Sequence, residues 1–323
     1  MVKKILIPGC VGLMVAFSAI AQPASTIYPT KPIRFVVPQP PGGGADIVGR
    51  IVAMKLQESL GQQVIVDNRS GAGGIVGTEL VARAPADGYT LLLGYTGVLT
   101  INPSLHKQLP YRAQEDFVPV SVAAASPLIL AVSPLQKINT VAELVAAAKS
   151  RPAPMTYGSP GNGSLHHLST EWLKSATGIQ MTHVPYKGFN SFNAVIAGEV
   201  GMAFVSVVGG LTHARAGRVK VIAITSKTRS PLLPEAPPLA DTIAGFEAAN
   251  WFGVLAPRGT SDAVVTKLAQ VIGKSMQAED VKQRFVKDGG EAIGGTPAAF
   301  AELIRSETKR WADVVRVSGA RID

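Results

Sequence analysis

Apolar residues in this chain fall into short blocks separated by glycine and proline. The spacing inside the blocks switches repeatedly between strand and helix periods. Residues 33–37 are an apolar run bounded by prolines, which is a buried-strand pattern. Ile47, Val48, Ile51, Val52 and Leu56 then recur at helical spacing. Residues 64–66 read as a second strand, a helix carrying Leu80 and Val81 follows, and 91–93 is a third strand. Such a βαβαβ order predicts a parallel sheet covered by helices on both faces.

The next apolar stretch, 118–132, is interrupted by Ser126-Pro127, which predicts a strand that bends or passes between lobes. Alternation then resumes: helix 141–148, strand 155–157, helix 165–176, strand 181–184, helix 192–197, and strands 202–208 and 219–224. After a proline-rich stretch at 231–238 come a strand at 251–255 and helices at 263–276 and 281–287. A last helix starts at Pro297, with Thr296 as N-cap and Phe300, Ile304, Trp311 and Val315 as its apolar stripe. Two α/β units with two crossovers predict two lobes: residues 22–126 plus 250–323, and residues 127–249. No sequence repeat relates them.

Composition changes this picture only at the N-terminus. With 46% hydrophobic and 16% charged residues among 323, a sizeable core is expected and disorder is not. The net charge of +9 fits an anionic small ligand or a basic surface. Aromatics make up only 6% and no run of five like charges occurs, so nucleic acid is not expected as a partner. Lys3 and Lys4 precede an apolar stretch at 5–19, and Ala19-Ile20-Ala21 has the form of a cleavage site. Residues 1–21 therefore read as a secretory signal peptide cleaved after Ala21. The only cysteine, Cys10, lies inside it, and an h-region of residues 5–7 is too short for a lipobox at that cysteine. The exported chain then has no disulfide and no thiol chemistry.

Three glycine-rich loops lead from a strand to a helix. The first runs through Pro38, Gln39, Pro40, Pro41, Gly42, Gly43, Gly44, Ala45 and Asp46. Converging backbone N–H groups at a helix start make an anion site; the same loop also reads as a tight turn capped by Asp46. The second, Gly71-Ala72-Gly73-Gly74 with Gly77, is G-x-G-G-x-x-G rather than the dinucleotide fingerprint and is better read as a helix start near the cleft. No nucleotide, and no other cofactor, is expected. The third contains Ser159, Gly161, Gly163 and Ser164 ahead of His166 and His167. Ser159 directly follows Gly158, which is not the G-x-S-x-G spacing of a hydrolase elbow. His167 and Glu171 stand four apart, a spacing a metal can use, but no third ligand is identifiable and no metal is expected. Tyr186 and Lys187 follow the strand at 181–184.

These segments are similar to a known family. The chain resembles the substrate-binding proteins of tripartite tricarboxylate transporters, the Bug family of periplasmic receptors. The resemblance runs through Tyr28-Pro29-Thr30-Lys31-Pro32-Ile33-Arg34, Pro41-Gly42-Gly43 with Asp46, Asp67-Asn68-Arg69 with Gly71-Ala72-Gly73-Gly74, and Asp87-Gly88-Tyr89-Thr90-Leu91. It continues in Tyr157-Gly158-Ser159 with Gly161 and Gly163, Val184-Pro185-Tyr186-Lys187-Gly188, Arg229-Ser230-Pro231, and Trp251-Phe252-Gly253 with Ala256-Pro257. It implies an α/β, two-lobed type II periplasmic-binding-protein fold with a ligand cleft between the lobes. It also implies a carboxylate held by backbone amides and ordered waters rather than by an arginine clamp. The partners implied are integral-membrane transporter subunits, and the receptor is expected to be a monomer without catalytic activity. Two positions depart from the family: Gln39 stands where an aromatic residue is usual, and Gly201 replaces the usual aspartate after Gly198-Glu199-Val200.

The expected ligand-binding set is Gln39, Pro41, Gly42, Gly43, Gly44, Asp46, Tyr95, Thr96, Ser159, Gly161, Gly163, Ser164, His167, Tyr186, Lys187 and Ser206. Two other functions are compatible with the same residues: a ligand-sensing subunit for a membrane signalling partner, and an exported serine hydrolase using Ser159 or Ser164 with His167.

Overall fold

The computed structural model describes residues 28–186, 190–287, 289–320 and 322. The expected signal peptide and Lys187 lie outside them.

The first unit begins as the periodicity predicts. β1 (Ile33–Val37), α1 (Gly44–Leu60), β2 (Val64–Asn68), α2 (Ile75–Ala82) and β3 (Thr90–Tyr95) follow in order, and β1 pairs in parallel with both β2 and β3. A π-helical turn at Gly97–Ile101 and the short α3 (Asn102–Leu105) come next; the unbroken apolar run at 98–99 gives no sign of them.

β4 (Phe117–Val132) joins the two parts of the molecule. Up to Pro127 it pairs antiparallel with β9 (Ala249–Pro257), which also pairs with β3. From Leu128 onward it pairs with β7 (Met202–Ser206) and β8 (Lys220–Ile224). The change of partner falls at the Ser126-Pro127 interruption, because proline cannot donate to the ladder. The second sheet region is completed by β5 (Met155–Ser159), parallel to β7 and to β6 (Met181–Pro185).

Two buried threonines stitch the crossing strands together. Thr225 Oγ1 accepts from Leu128 N and bonds the carbonyls of Leu128 and Ala248. Thr96 Oγ1 donates to Ala249 O and accepts from Trp251 N, both at 3.0 Å.

Helices α4 (Val141–Ser150), α5 (Leu165–Thr177), α6 (Asn190–Ala197) and α7 (Val207–Arg215) cover the second sheet region. α7 corrects the expectation of a strand across 202–208. The strand stops at Ser206, whose hydroxyl accepts from Gly209 N and caps a helix that starts with no intervening loop. α8 (Asp262–Met276), α9 (Glu279–Lys287), the short β10 (Glu291–Ala292) and α10 (Pro297–Ser318) end the fold. Thr296 caps α10 as expected, accepting from Ala299 N. Phe300 and Ile304 bury in the core of the first sheet region, while Trp311, Val314 and Val315 bury in that of the second. α10 therefore packs on both. No described helix is long and apolar enough to cross a membrane.

Candidate functional site

A cavity of about 570 Å³ collects the ends of all three glycine loops. Gln39 comes from the first loop, Ala72 and Gly73 from the second, and residues 160–166 from the third. Tyr95 at the end of β3 and Asn250 at the start of β9 complete the floor, and Ile322 reaches the wall. None of the described lining residues is Lys, Arg, Asp or Glu. A second cavity, of about 460 Å³, lies beside the β4 and β9 crossings. Lys227 there pairs with Glu247 and Arg229 donates to Pro234 O, its lining also carries the acidic Glu291, and it gathers none of the glycine loops. The first cavity is the better candidate for that reason.

In the first loop, Gly43 is the N-cap of α1 and has no side chain to cap with. Asp46, in the first turn of α1, reaches back and accepts from Gly42 N at 2.9 Å. Its other partners are Arg50 Nε at 2.9 Å and Asn68 Nδ2 at 3.0 Å. Asn68 Nδ2 also donates to Gln39 O, so β2 and α1 together fix the loop. Burial alone would raise the Asp46 carboxyl; the hydrogen bonds from Arg50, Gly42 N and Asn68 hold it below the ordinary carboxylate value. The N–H of Gly44, on the exposed rim, has no carbonyl of its own helix to reach, as in any first turn, and remains for a ligand or water.

The second loop does packing work. A Cβ on Gly74 (φ +95°) would lie 2.5 Å from the Tyr95 hydroxyl, and one on Gly77 would lie 2.6 Å from Arg69 O. Those glycines let the loop close against the first loop and β3. Tyr95 donates to Gly73 O at 2.7 Å; burial pushes its phenol up, opposed by a hydrogen bond from the Gln39 side chain. Gln39 and Tyr95 thus form one polar patch on the cavity floor.

In the third loop, Ser164 caps α5: its hydroxyl accepts from His167 N at 3.2 Å and donates to Gly161 O at 2.8 Å. His167 Nδ1 accepts from Gly163 N at 3.1 Å. Ser159 Oγ accepts from Gly161 N and lies 2.7 Å from His183 Nε2. The His167 and His183 rings stack with centroids 4.1 Å apart, and Tyr157 stacks on His183 at 4.9 Å. Tyr157 donates to Glu171 Oε1, which also takes Lys174. Burial pushes His167 down to about 4, helped by His183, and lowers His183 as well. On the preceding residue, burial in the cavity wall also pushes His166 down to about 4.

The structure brings five of the expected ligand-binding residues onto the cavity: Gln39, Tyr95, Gly161, Gly163 and Ser164. Gly43 stands behind Gln39, with the position of a Cβ 3.9 Å from Gln39 Oε1; Pro41, Gly42 and Gly44 sit on the exposed rim. Asp46, Ser159 and His167 are buried within the loops' own hydrogen-bond networks, and Thr96 is buried at the junction with β9. Tyr186 is half-buried beyond β6, its N–H donating to Ser159 O, and Ser206 caps α7. His166, Asn162, Asn102 and Asn250 line the cavity without having been expected there. His166 and His167 are adjacent in a helix and so point about 100° apart, which sequence spacing alone does not assign to one face or the other.

Three other sequence features resolve in place. A Cβ on Gly201 would lie 2.7 Å from Met155 Cγ, so the departure at that position matches the packing of β5 under it. Gly273-Lys274-Ser275, a triplet of P-loop composition not picked out from the sequence, lies near the C-terminal end of α8, where a helix presents carbonyls rather than amides. Among the described residues, no group of three or more His, Cys, Asp or Glu is arranged to hold a metal.

Comparison with known proteins places this geometry. The family model described as tripartite tricarboxylate transporter family receptor matches residues 48–319. Protein BugT of Bordetella pertussis is 37% identical over 316 residues, covering 97% of each chain. Among solved structures, R. palustris Rpa4515 with adipate is 34% identical, with a TM-score of 0.80 over 91% of this chain and 99% of that one. MatC from Rhodopseudomonas palustris with bound malate is 29% identical, with a TM-score of 0.75 over 89% of this chain and 100% of that one.

Proposed function

The chain belongs to the tripartite tricarboxylate transporter receptor family, and from that premise we propose that it captures a small organic carboxylate in the cavity between its two sheet regions and presents it to the transporter. It is a periplasmic receptor rather than an enzyme, and its partner is a membrane transporter. The catalytic alternative lacks its serine–histidine pair: Ser159 is fully buried and meets His183 rather than His167, and Ser164 meets His167 through the backbone N–H rather than the ring.

The observation that carries the ligand class is a cavity lined by the start of α5, by Gln39 from the loop ahead of α1 and by neutral polar groups from both sheet regions, with no carboxylate among its described lining residues. Unpartnered N–H groups and the positive ends of α1 and α5 attract a carboxylate, and no acidic side chain among those residues repels it. The solved relatives with adipate and malate support the same class. Contacts are assigned to the Gly43 and Gly44 amides, Gln39, Tyr95, the third-loop backbone at Gly161 to Gly163, Ser164 and His166. The lobes are assigned as residues 22–126 plus 250–323 and 127–249, with β4 and β9 as the crossings and α10 fastening the two. Export by cleavage after Ala21 and a monomeric state complete the reading.

The test is a thermal-shift screen of the mature protein against mono-, di- and tricarboxylates that include adipate and malate. A true ligand at about 100 times its dissociation constant adds about 2.7 kcal/mol. A screen in which amines or sugars stabilise the protein and no carboxylate does would contradict the assignment.

A further inference from the structure

Two of the third loop's amides are held by side chains that stand behind it. Gly163 N–H points at His167 Nδ1, and Gly161 N–H at Ser159 Oγ. An imidazole nitrogen that accepts carries no proton, so the neutral ring bears its proton on Nε2, which lies 3.9 Å from Glu171 Oε1. His167 is 7% exposed and does not line the cavity, whereas Gly163 does. We propose that His167 is a positioning residue: as a neutral imidazole it holds the third loop in its ligand-receiving shape through Gly163, and protonation of Nδ1 releases the loop.

The chemistry follows from donor count. Protonated Nδ1 becomes a donor facing the Gly163 N–H, so the bond is lost and a buried amide is left without a partner. The groups facing His167 are His183 on β6, Tyr157 on β5, and Glu171 and Lys174 on its own helix. Glu171 would welcome the cation, but it already holds the Tyr157 hydroxyl and Lys174. His183, stacked at 4.1 Å, and Lys174 oppose it. Acidification therefore attacks the loop on the ligand side of α5, rather than only the core behind it. This inference rests on the cavity being the ligand site.

Hydrogen exchange on the free mature protein tests it without any ligand, with rates corrected for pH and compared at pH 7 and pH 4. In the wild type, the peptide spanning 159–167 should lose at least tenfold protection at pH 4, while the first-loop peptide at 37–50 keeps its own. His167→Asn keeps an acceptor on Cγ, where Nδ1 is attached, and cannot be protonated; its loop should stay protected at both pH values. His167→Leu has no acceptor and should expose the loop at both. Equal protection in the Asn and Leu variants, or acid loss that persists in His167→Asn, overturns the proposal. Adipate and malate titrations run alongside address the function separately. If neither binds at pH 7 while the exchange pattern is as stated, the carboxylate assignment fails and the positioning role stands.

Discussion

The first and third loops solve the same problem with different chemistry. In each, a strand ends in glycines and a helix begins, and the third residue of the helix reaches back to the amide just before the N-cap. Asp46 does this for Gly42, and His167 for Gly163. The logic is that of a capping box displaced by one residue. Asp46 is a buried anion supported by Arg50 and Asn68, so the first loop carries its own charge behind the site. His167 is neutral and supported by stacking on His183, so the third loop adds no charge. The difference teaches that glycine-rich helix starts in one molecule need not be equivalent anion sites. One is partly satisfied by its own carboxylate, and both leave only the first-turn amides of the helix for a ligand.

The largest expected consequence is on acid stability. Burial holds His167 at about 4, below the ordinary 6.5, so the unfolded chain binds more protons between those values. Stability present above about pH 6.5 is then lost as pH falls toward 4. For His167, keeping the ring neutral down to that pH corresponds to a loss of roughly 3 kcal/mol. Urea unfolding of wild type and His167→Asn at pH 7 and pH 4 should show that much less acid loss in the variant. The Asp46 carboxyl is also held low, but its contribution is lost only below the ordinary carboxylate value of 3.8, so the first loop outlasts the third on acidification.

Next in size is Asp46→Ala. It removes the carboxylate acceptor of Gly42 N–H and Arg50 and one of the two acceptors of Asn68 Nδ2, which keeps Gln39 O, at a cost of roughly 1.5–3 kcal/mol, as for a hydrogen bond to a charged group. A melt at pH 7 that matches the wild type would show that the carboxylate does not hold the first loop. The smallest effect is Ser164→Ala, which removes one N-cap and should cost about 1 kcal/mol, as such caps do. A much larger loss in equilibrium unfolding would mean that Ser164 does more for the third loop than cap α5.

Much of this frame is legible from residue order. Strand and helix blocks, the Ser126-Pro127 switch and the Thr296-Pro297 helix start all follow from local pattern, and the structure has them there. α7 escapes that pattern because the chain passes from β7 into it through consecutive apolar residues, with only Ser206 as a signal. The site is legible as loops and not as side chains. The G-x-G-G-x-x-G glycines pack against Tyr95 and Pro38, contacts made across the sheet rather than along the chain. Asn250 and Ile322 join the cavity from far away in sequence, through the β9 crossing and the turn after α10. His183 carries no local motif at all; its importance comes from facing Ser159 across the β5–β6 pair.

The most direct measurement of the central claim is calorimetric titration of wild type and Gly43→Val with the carboxylate that gives the largest thermal shift. Gly43 has φ −83° and ψ 173°, which valine adopts freely, and a Cβ there meets nothing closer than 3.7 Å. The variant should therefore fold, with its ligand-free stability lowered by no more than a poorer N-cap costs, about 1 kcal/mol. Its branched side chain stands at the first-turn amides of α1, where the carboxylate is to be held. Binding at least tenfold weaker than wild type is the result expected. Equal affinity in a normally folded Gly43→Val protein would contradict a carboxylate seated on the first loop.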